Sequence, residues 1–250
     1  MSHSDSDYIV EPKGAAGSVV VIHEVWGFVG HTKDVCKRVG KLGFAALAPN
    51  LYRGHSELLT PDLIQKAMDG VWGLSLEERR DKTKVTAALD RKGASEDVRK
   101  VVSIIYDPAF RDRLLDDSLA AVERARSMFT GVATLGFCIG GGLSLKCATK
   151  STSLTSAISF YGQPPPVQDV AKISVPTLAI FANQDEIINK SVPEFAGAML
   201  DGGKDLTLKT YPQTKHGFFN DTREEVYDRR SADAAWDLTR WFLERTLPRN

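Results

Sequence analysis

Six short apolar runs recur along the 250 residues, each nearly unbroken: SVVVIHE (18–24), FAALAPN (44–50), VATLGF (132–137), SAISFYG (156–162), TLAIFA (177–182) and LTLKTY (206–211). A strand with one wet face alternates apolar and polar residues. Runs without that alternation suit strands covered on both faces, as in a parallel sheet flanked by helices. Between the first two runs, Val35, Val39 and Leu42 have helical spacing and Gly43 stops the pattern. Strand, helix, strand implies a parallel crossover. The pattern therefore predicts an α/β fold, a mostly parallel central sheet with helices on both faces. A 42% hydrophobic content is enough to fill its core.

We expect one domain over residues 1–250, with 1–8 a flexible tail. Residues 61–113 read as a charged helical insertion, cap-like in character. Helical pattern continues to Met128, where Leu115, Leu119 and Val122 are spaced to pack on the sheet. A charged helical segment can equally be a solvated bundle with no part in chemistry. At the end of the chain, Val226, Ala234, Leu238, Trp241 and Phe242 form the predicted apolar stripe of a closing helix.

Lys plus Arg and Asp plus Glu both number 32, so nothing favours nucleic acid as a partner, and a small ligand fits better. The three cysteines include no CxxC pair, which argues against a disulfide framework or a zinc knuckle. Reduced thiols in a cytoplasm are the simplest expectation. The start, MSHSDSDY, lacks the basic and apolar regions of a secretory signal, and no apolar run approaches membrane-spanning length. We expect no membrane partner, and a monomer or homodimer.

The sequence GFCIGGG (136–142) places Cys138 between a strand and a helical run. Glycines two residues either side of a central residue allow a sharp strand-to-helix turn that exposes it, and the serine version is the nucleophile elbow of α/β-hydrolases. A sulfur there faces a helix N-terminus, whose dipole and free amides favour a thiolate. The glycine spacing fits neither a dinucleotide fingerprint nor a Walker loop. A buried inert thiol is the competing reading, since free cysteine is among the most buried residue types; Cys36 and Cys147 fit that reading.

A thiol of reference pKa about 8.5 needs a base at neutral pH. Asp185 follows TLAIFA, and His216 follows LTLKTY, so nucleophile, acid and histidine come in the α/β-hydrolase order. Parallel strands bring these loops to one sheet edge. Glu186 rivals Asp185 as a neighbouring acid. The five histidines show no metal-binding spacing, so no metal and no cofactor is expected. Glu24 ends the first run; it either caps the following segment or projects toward Cys138. The backbone amides of Val25 and Ile139 are the candidates for an oxyanion hole.

These motifs together, VVVIHEVWG, LAPNLYRG, GFCIGGG, FANQDEII and KHGF, resemble the dienelactone hydrolase (carboxymethylenebutenolidase) family of the α/β-hydrolase superfamily, over nearly the whole chain. The resemblance implies an α/β-hydrolase fold, Cys138 as nucleophile, His216 as base and Asp185 as its orienter. It also implies that Glu24 contacts the resting thiol and takes part in its activation. The substrate it implies is a small lactone or ester, dienelactone going to maleylacetate. Relatives hold the substrate carboxylate with arginines, one of them four residues after the histidine, where this chain has Asn220. Arg53 and Arg223 are the candidate replacements, with Arg79 and Arg80 in the helical segment as further guesses. A broad small carboxylesterase or thioesterase using the same residues is the alternative; a redox-sensing thiol protein is a third reading, and it has no need of the histidine and acid.

Overall fold

A computed structural model describes residues 6–75 and 77–249. In chain order the elements are β1 (Tyr8–Val10), β2 (Gly17–Ile22), α1 (Gly30–Lys41), β3 (Ala45–Ala48), α2 (Pro61–Val71), α3 (Lys82–Arg91), α4 (Glu96–Tyr106) and α5 (Pro108–Met128). They continue with β4 (Gly131–Phe137), α6 (Ile139–Lys150), β5 (Ser156–Phe160), α7 (Val167–Val170), β6 (Thr177–Ala182), α8 (Val192–Asp201), β7 (Leu206–Tyr211) and α9 (Arg229–Thr246). The sheet order is β1-β3-β2-β4-β5-β6-β7. Every pairing is parallel except β1 with β3.

The runs that form β2 to β6 are strands covered on both faces, and the edge strand β7 is only partly covered. In β2, Val20 and Ile22 join the core shared with Ile64, Val101, Leu114 and Leu145, while Val19 and Val21 join Val35, Val39, Ala235 and Phe242 on the other face. Successive side chains of a strand point to opposite faces, so one unbroken run supplies two cores. Among the described residues no helix is long and apolar enough to cross a membrane.

Each boundary in the helical segment has a local cause. Thr60 caps α2 by accepting from Leu63 N, with Pro61 behind it in the first turn. Ser95 caps α4 through Val98 N, and Asp107 caps α5 through Ala109 N with Pro108 in its first turn. The apolar faces of α2 and α4 pack on each other, α5 lies between α4 and the sheet, and Ile64, Ala67, Val98 and Val102 join the core that contains Val20 and Ile22. Residues 61–113 therefore share the core of the sheet, and Pro61 and Gln65 at the start of α2 reach a surface cavity described below.

Two expectations need correction. Residues 1–5 lie outside the described residues, but the expected tail ends earlier than Tyr8. Tyr8 opens β1, and Asp7 accepts from Arg53 Nη2 at 2.8 Å, Arg124 Nη2 at 2.5 Å and Asn50 N at 3.1 Å. The α9 stripe is also rotated. Asp228 caps the helix and leaves Val226 outside it; the buried face is Ala232, Ala235, Thr239, Phe242 and Leu243. Trp241 is 48% exposed, with Arg245 lying over its ring, while Thr239 is buried because its hydroxyl donates to Ala235 O. A satisfied hydroxyl can be buried at little penalty, so Thr239 shares the inner face with Phe242 and Leu243 while the Trp241 ring stays outside.

Candidate active site

The turn after β4 holds Cys138 at φ 55°, ψ −118°, immediately before α6. Its N–H donates to Phe160 O at 3.0 Å, and its carbonyl accepts from Gly142 N at 3.2 Å. The flanking glycines are required by contact. A Cβ on Gly136 would lie 1.9 Å from Gly140 O, and one on Gly140 would lie 2.3 Å from Ile22 O. Ile139 opens α6, so its amide is among those a helix leaves without an intrahelical acceptor. Across the turn, Tyr52 Oη donates to Val25 O at 2.8 Å and Gly27 N to Glu24 O at 3.0 Å, which fixes the peptide that carries the Val25 amide.

Asp185 and His216 are brought together. The loops after β6 and β7 are joined by Asn183 N to Tyr211 O at 3.1 Å and Gln184 N to Thr214 O at 2.9 Å. His216 Nδ1 then lies 2.5 Å from Asp185 Oδ2, while Asp185 Oδ1 accepts from Ile188 N at 3.2 Å. Asp185 is buried and Glu186 exposed, so the turn itself chooses between the two acids. Burial opposes a charged His216 ring, but its electrostatic interaction and hydrogen bonding with the Cys138 and Asp185 side chains outweigh it, and the imidazole pKa stands well above its usual value.

That shift sets a pH dependence. A ring whose folded pKa is raised contributes stability in full below its unfolded value of about 6.5, and the contribution is lost as pH rises through the folded value. Asp185→Asn lowers the His216 midpoint, read from its ring protons by NMR, and weakens that loss of stability. An unmoved midpoint would show that Asp185 does not hold the ring.

Glu24 is buried with both carboxylate oxygens engaged. It is 4% exposed, with Oε1 accepting from Tyr161 Oη at 3.0 Å and Oε2 from Asn220 Nδ2 at 2.6 Å. Its side-chain hydrogen bonds among the described residues run to Tyr161 and Asn220. The Asn220 amide is fixed in turn, because its Oδ1 accepts from Thr222 N at 3.0 Å and Thr222 Oγ1 at 2.7 Å. Tyr161, at φ 40°, packs its ring 4.9 Å from the His216 ring. A bulky residue in the left-handed region is strained, and such strain concentrates at functional sites. Below Glu24, burial lowers the His23 pKa to about 4, and Nδ1 lies 2.7 Å from Glu24 O, so the neutral ring carries its proton on Nδ1.

Tyr161 and Asn220 as partners of Glu24 are the residues the sequence reading missed. Tyr161 follows its strand directly, as Cys138 does, and Glu24 stands two residues after its own, and that position at a strand end was the available signal. Of the candidate arginines, Arg223 lines a cavity of about 490 Å³ together with Trp26, Pro61, Gln65, Asn220 and Glu225. Arg53 does not line it; its guanidinium is paired with Asp7 at the β1 end. Arg79 donates to Leu74 O, Trp72 O and Tyr106 Oη, a structural commitment within the helical segment. The Arg80 side chain lies outside the described residues. Cys36 and Cys147 are buried, which raises each thiol to about 12.

Comparison with known proteins agrees with this architecture. The model of the "Dienelactone hydrolase family" matches residues 6–247. A protein of Saccharolobus solfataricus named "Putative carboxymethylenebutenolidase" is 34% identical over 245 residues, covering 95% of this chain and 93% of the relative. Protein usf of Aquifex pyrophilus is 32% identical over 246 residues, covering 96% and 93%. Among solved structures, a dienelactone hydrolase-like promiscuous phosphotriesterase from metagenomic libraries has a TM-score of 0.69 at 19% identity, covering 97% of this chain and 92% of that one. Dienelactone hydrolase from Anabaena variabilis has a TM-score of 0.59 at 16% identity, over 97% and 92%. The match over nearly the full length, on a seven-stranded sheet of this order, means that the chain belongs to the dienelactone hydrolase family and is a hydrolase of α/β-hydrolase fold.

Proposed function

We propose that this hydrolase opens activated lactones or esters of small molecules through an acyl-enzyme on Cys138. The observation that carries the reading is the His216 Nδ1 to Asp185 Oδ2 contact of 2.5 Å, beside a cysteine held at positive φ on a helix N-terminus. The Cys138 sulfur passes its proton to His216 and attacks the carbonyl, and the oxyanion forms toward the amides of Val25 and Ile139. Collapse breaks the carbonyl–oxygen bond, and the leaving oxygen takes the proton from the imidazolium. Water, deprotonated by His216, then cleaves the thioester and restores the thiol. Sulfur is the better leaving group against an ordinary alkoxide, so enol esters and aryl esters react well and amides poorly.

A broader small-ester range, as against dienelactone alone, is favoured by Asn220, a neutral amide already bonded to Glu24. The test is rapid quenching of the protein with p-nitrophenyl acetate, followed by peptide mass spectrometry, with dienelactone turnover measured alongside. The acetyl group is expected on the Cys138 peptide. Turnover with acetyl on another residue, or no turnover of either compound, would overturn the reading.

A further inference from the structure

The cavity beside Asn220 contains one cation and one anion among its described lining residues, and they are paired with each other. Arg223 Nε donates to Glu225 Oε1 at 2.7 Å, and Arg223 Nη2 donates to the same oxygen. Two donors therefore converge on one acceptor. A guanidinium meeting an incoming carboxylate makes its strongest contact as a fork, with two parallel bonds to two oxygens. The internal pair falls short of that arrangement.

The two partners also differ in how they are held. The Arg223 guanidinium lies 4.3 Å from the centre of the Trp26 ring, and its side chain is 28% exposed. Trp26 follows Val25, whose amide the proposed mechanism assigns to the oxyanion, and Asn220 both lines the cavity and donates to Glu24 Oε2. The Glu225 side chain is 59% exposed and reaches in from the rim. An exposed ion pair of this kind is weak, and a ligand can replace it.

We infer that Glu225 is an internal occupant of the anion subsite formed by Arg223 and Trp26, and that it sets the cavity's preference for uncharged acyl groups. This rests on the hydrolase reading above. A carboxylate-bearing acyl chain entering the cavity must displace Glu225 from Arg223, and it meets the like charge as it does so. An uncharged chain meets a neutralised pair and an aromatic face. Asn220 supplies no second cation, and its amide is already committed to Glu24 and Thr222. Glu225 is a specificity-determining residue on this account; it takes no part in bond breaking.

The test uses two esters with acyl chains of equal length, p-nitrophenyl hexanoate and mono-p-nitrophenyl adipate, on the wild type, Glu225→Gln and Arg223→Gln. In parallel, adipate binding is measured by calorimetry, which needs no turnover. Wild type is expected to prefer the hexanoate. In Glu225→Gln the ratio of kcat/KM for adipate over hexanoate rises about fivefold, carried by KM, and free adipate binds tighter by a similar factor. In Arg223→Gln adipate binding is lost. An unchanged ratio and unchanged adipate affinity in Glu225→Gln would overturn the inference. If neither ester is hydrolysed while adipate affinity still rises in Glu225→Gln, the hydrolase reading fails and the anion subsite stands.

Discussion

Cys138→Ala lowers kcat/KM for p-nitrophenyl acetate by roughly four orders of magnitude, and His216→Ala falls to nearly the same level, because members of such a unit are not additive. The fold survives the loss of the sulfur. Cys138 is held by its backbone, through Phe160 O and Gly142 N, and its side chain is only partly buried. Far-UV circular dichroism and the urea midpoint of Cys138→Ala should therefore stay close to wild type. Activity within tenfold of wild type in either variant would remove that residue from the proposed chemistry. The redox-sensor reading makes the opposite prediction, since a sensing thiol has no turnover to lose.

Gly136→Ala should instead damage the fold. The added methyl would stand 1.9 Å from Gly140 O, 2.2 Å from Gly140 C and 2.7 Å from Gly141 N. All three atoms are backbone, in the first turn of α6, so no side chain can rotate out of the way. Relief requires moving α6 away from β4, and α6 carries Leu143, Leu145 and Cys147 in the core. The expected loss is on the order of 3 kcal/mol, read as a drop in urea midpoint at constant slope. Gly30→Ala is the matched control: it opens α1, and a Cβ there meets nothing within 4 Å. An equal effect from both changes would mean that the tight elbow is not what resists substitution.

The sheet was legible in the sequence because burial on both faces leaves a local mark. TLAIFA became β6 at the residues expected, since a parallel strand covered by two layers of helix needs an apolar residue at nearly every position; LTLKTY became β7 at the residues expected too, but as the edge strand, with Lys209 and Thr210 exposed. The elbow was legible for a related reason: glycines at 136 and 140 are imposed by backbone approach, which no other residue type satisfies. What stayed hidden depends on distant neighbours. The partners of Glu24 lie 137 and 196 residues away in the chain, and neither Tyr161 nor Asn220 belongs to a short motif. The choice of Asp185 over Glu186 rests on one turn of backbone at the end of β6. Arg53 looked available because Asp7 was expected to be unstructured, and the three residues of β1 are too few to show a period.

That short first strand has a consequence for how the molecule meets others of its kind. β3 is buried at all four positions and would stand at the border of the sheet if β1 were missing. A flat apolar border with open hydrogen-bonding groups is a template for edge-to-edge aggregation, and natural sheets cover such borders. Here the cover is a segment of three residues, Tyr8 to Val10, fastened at Asp7 by two arginines from distant parts of the chain. β1 thus covers the border that β3 would otherwise leave open, and the Asp7 clasp with Arg53 and Arg124 holds that cover in place.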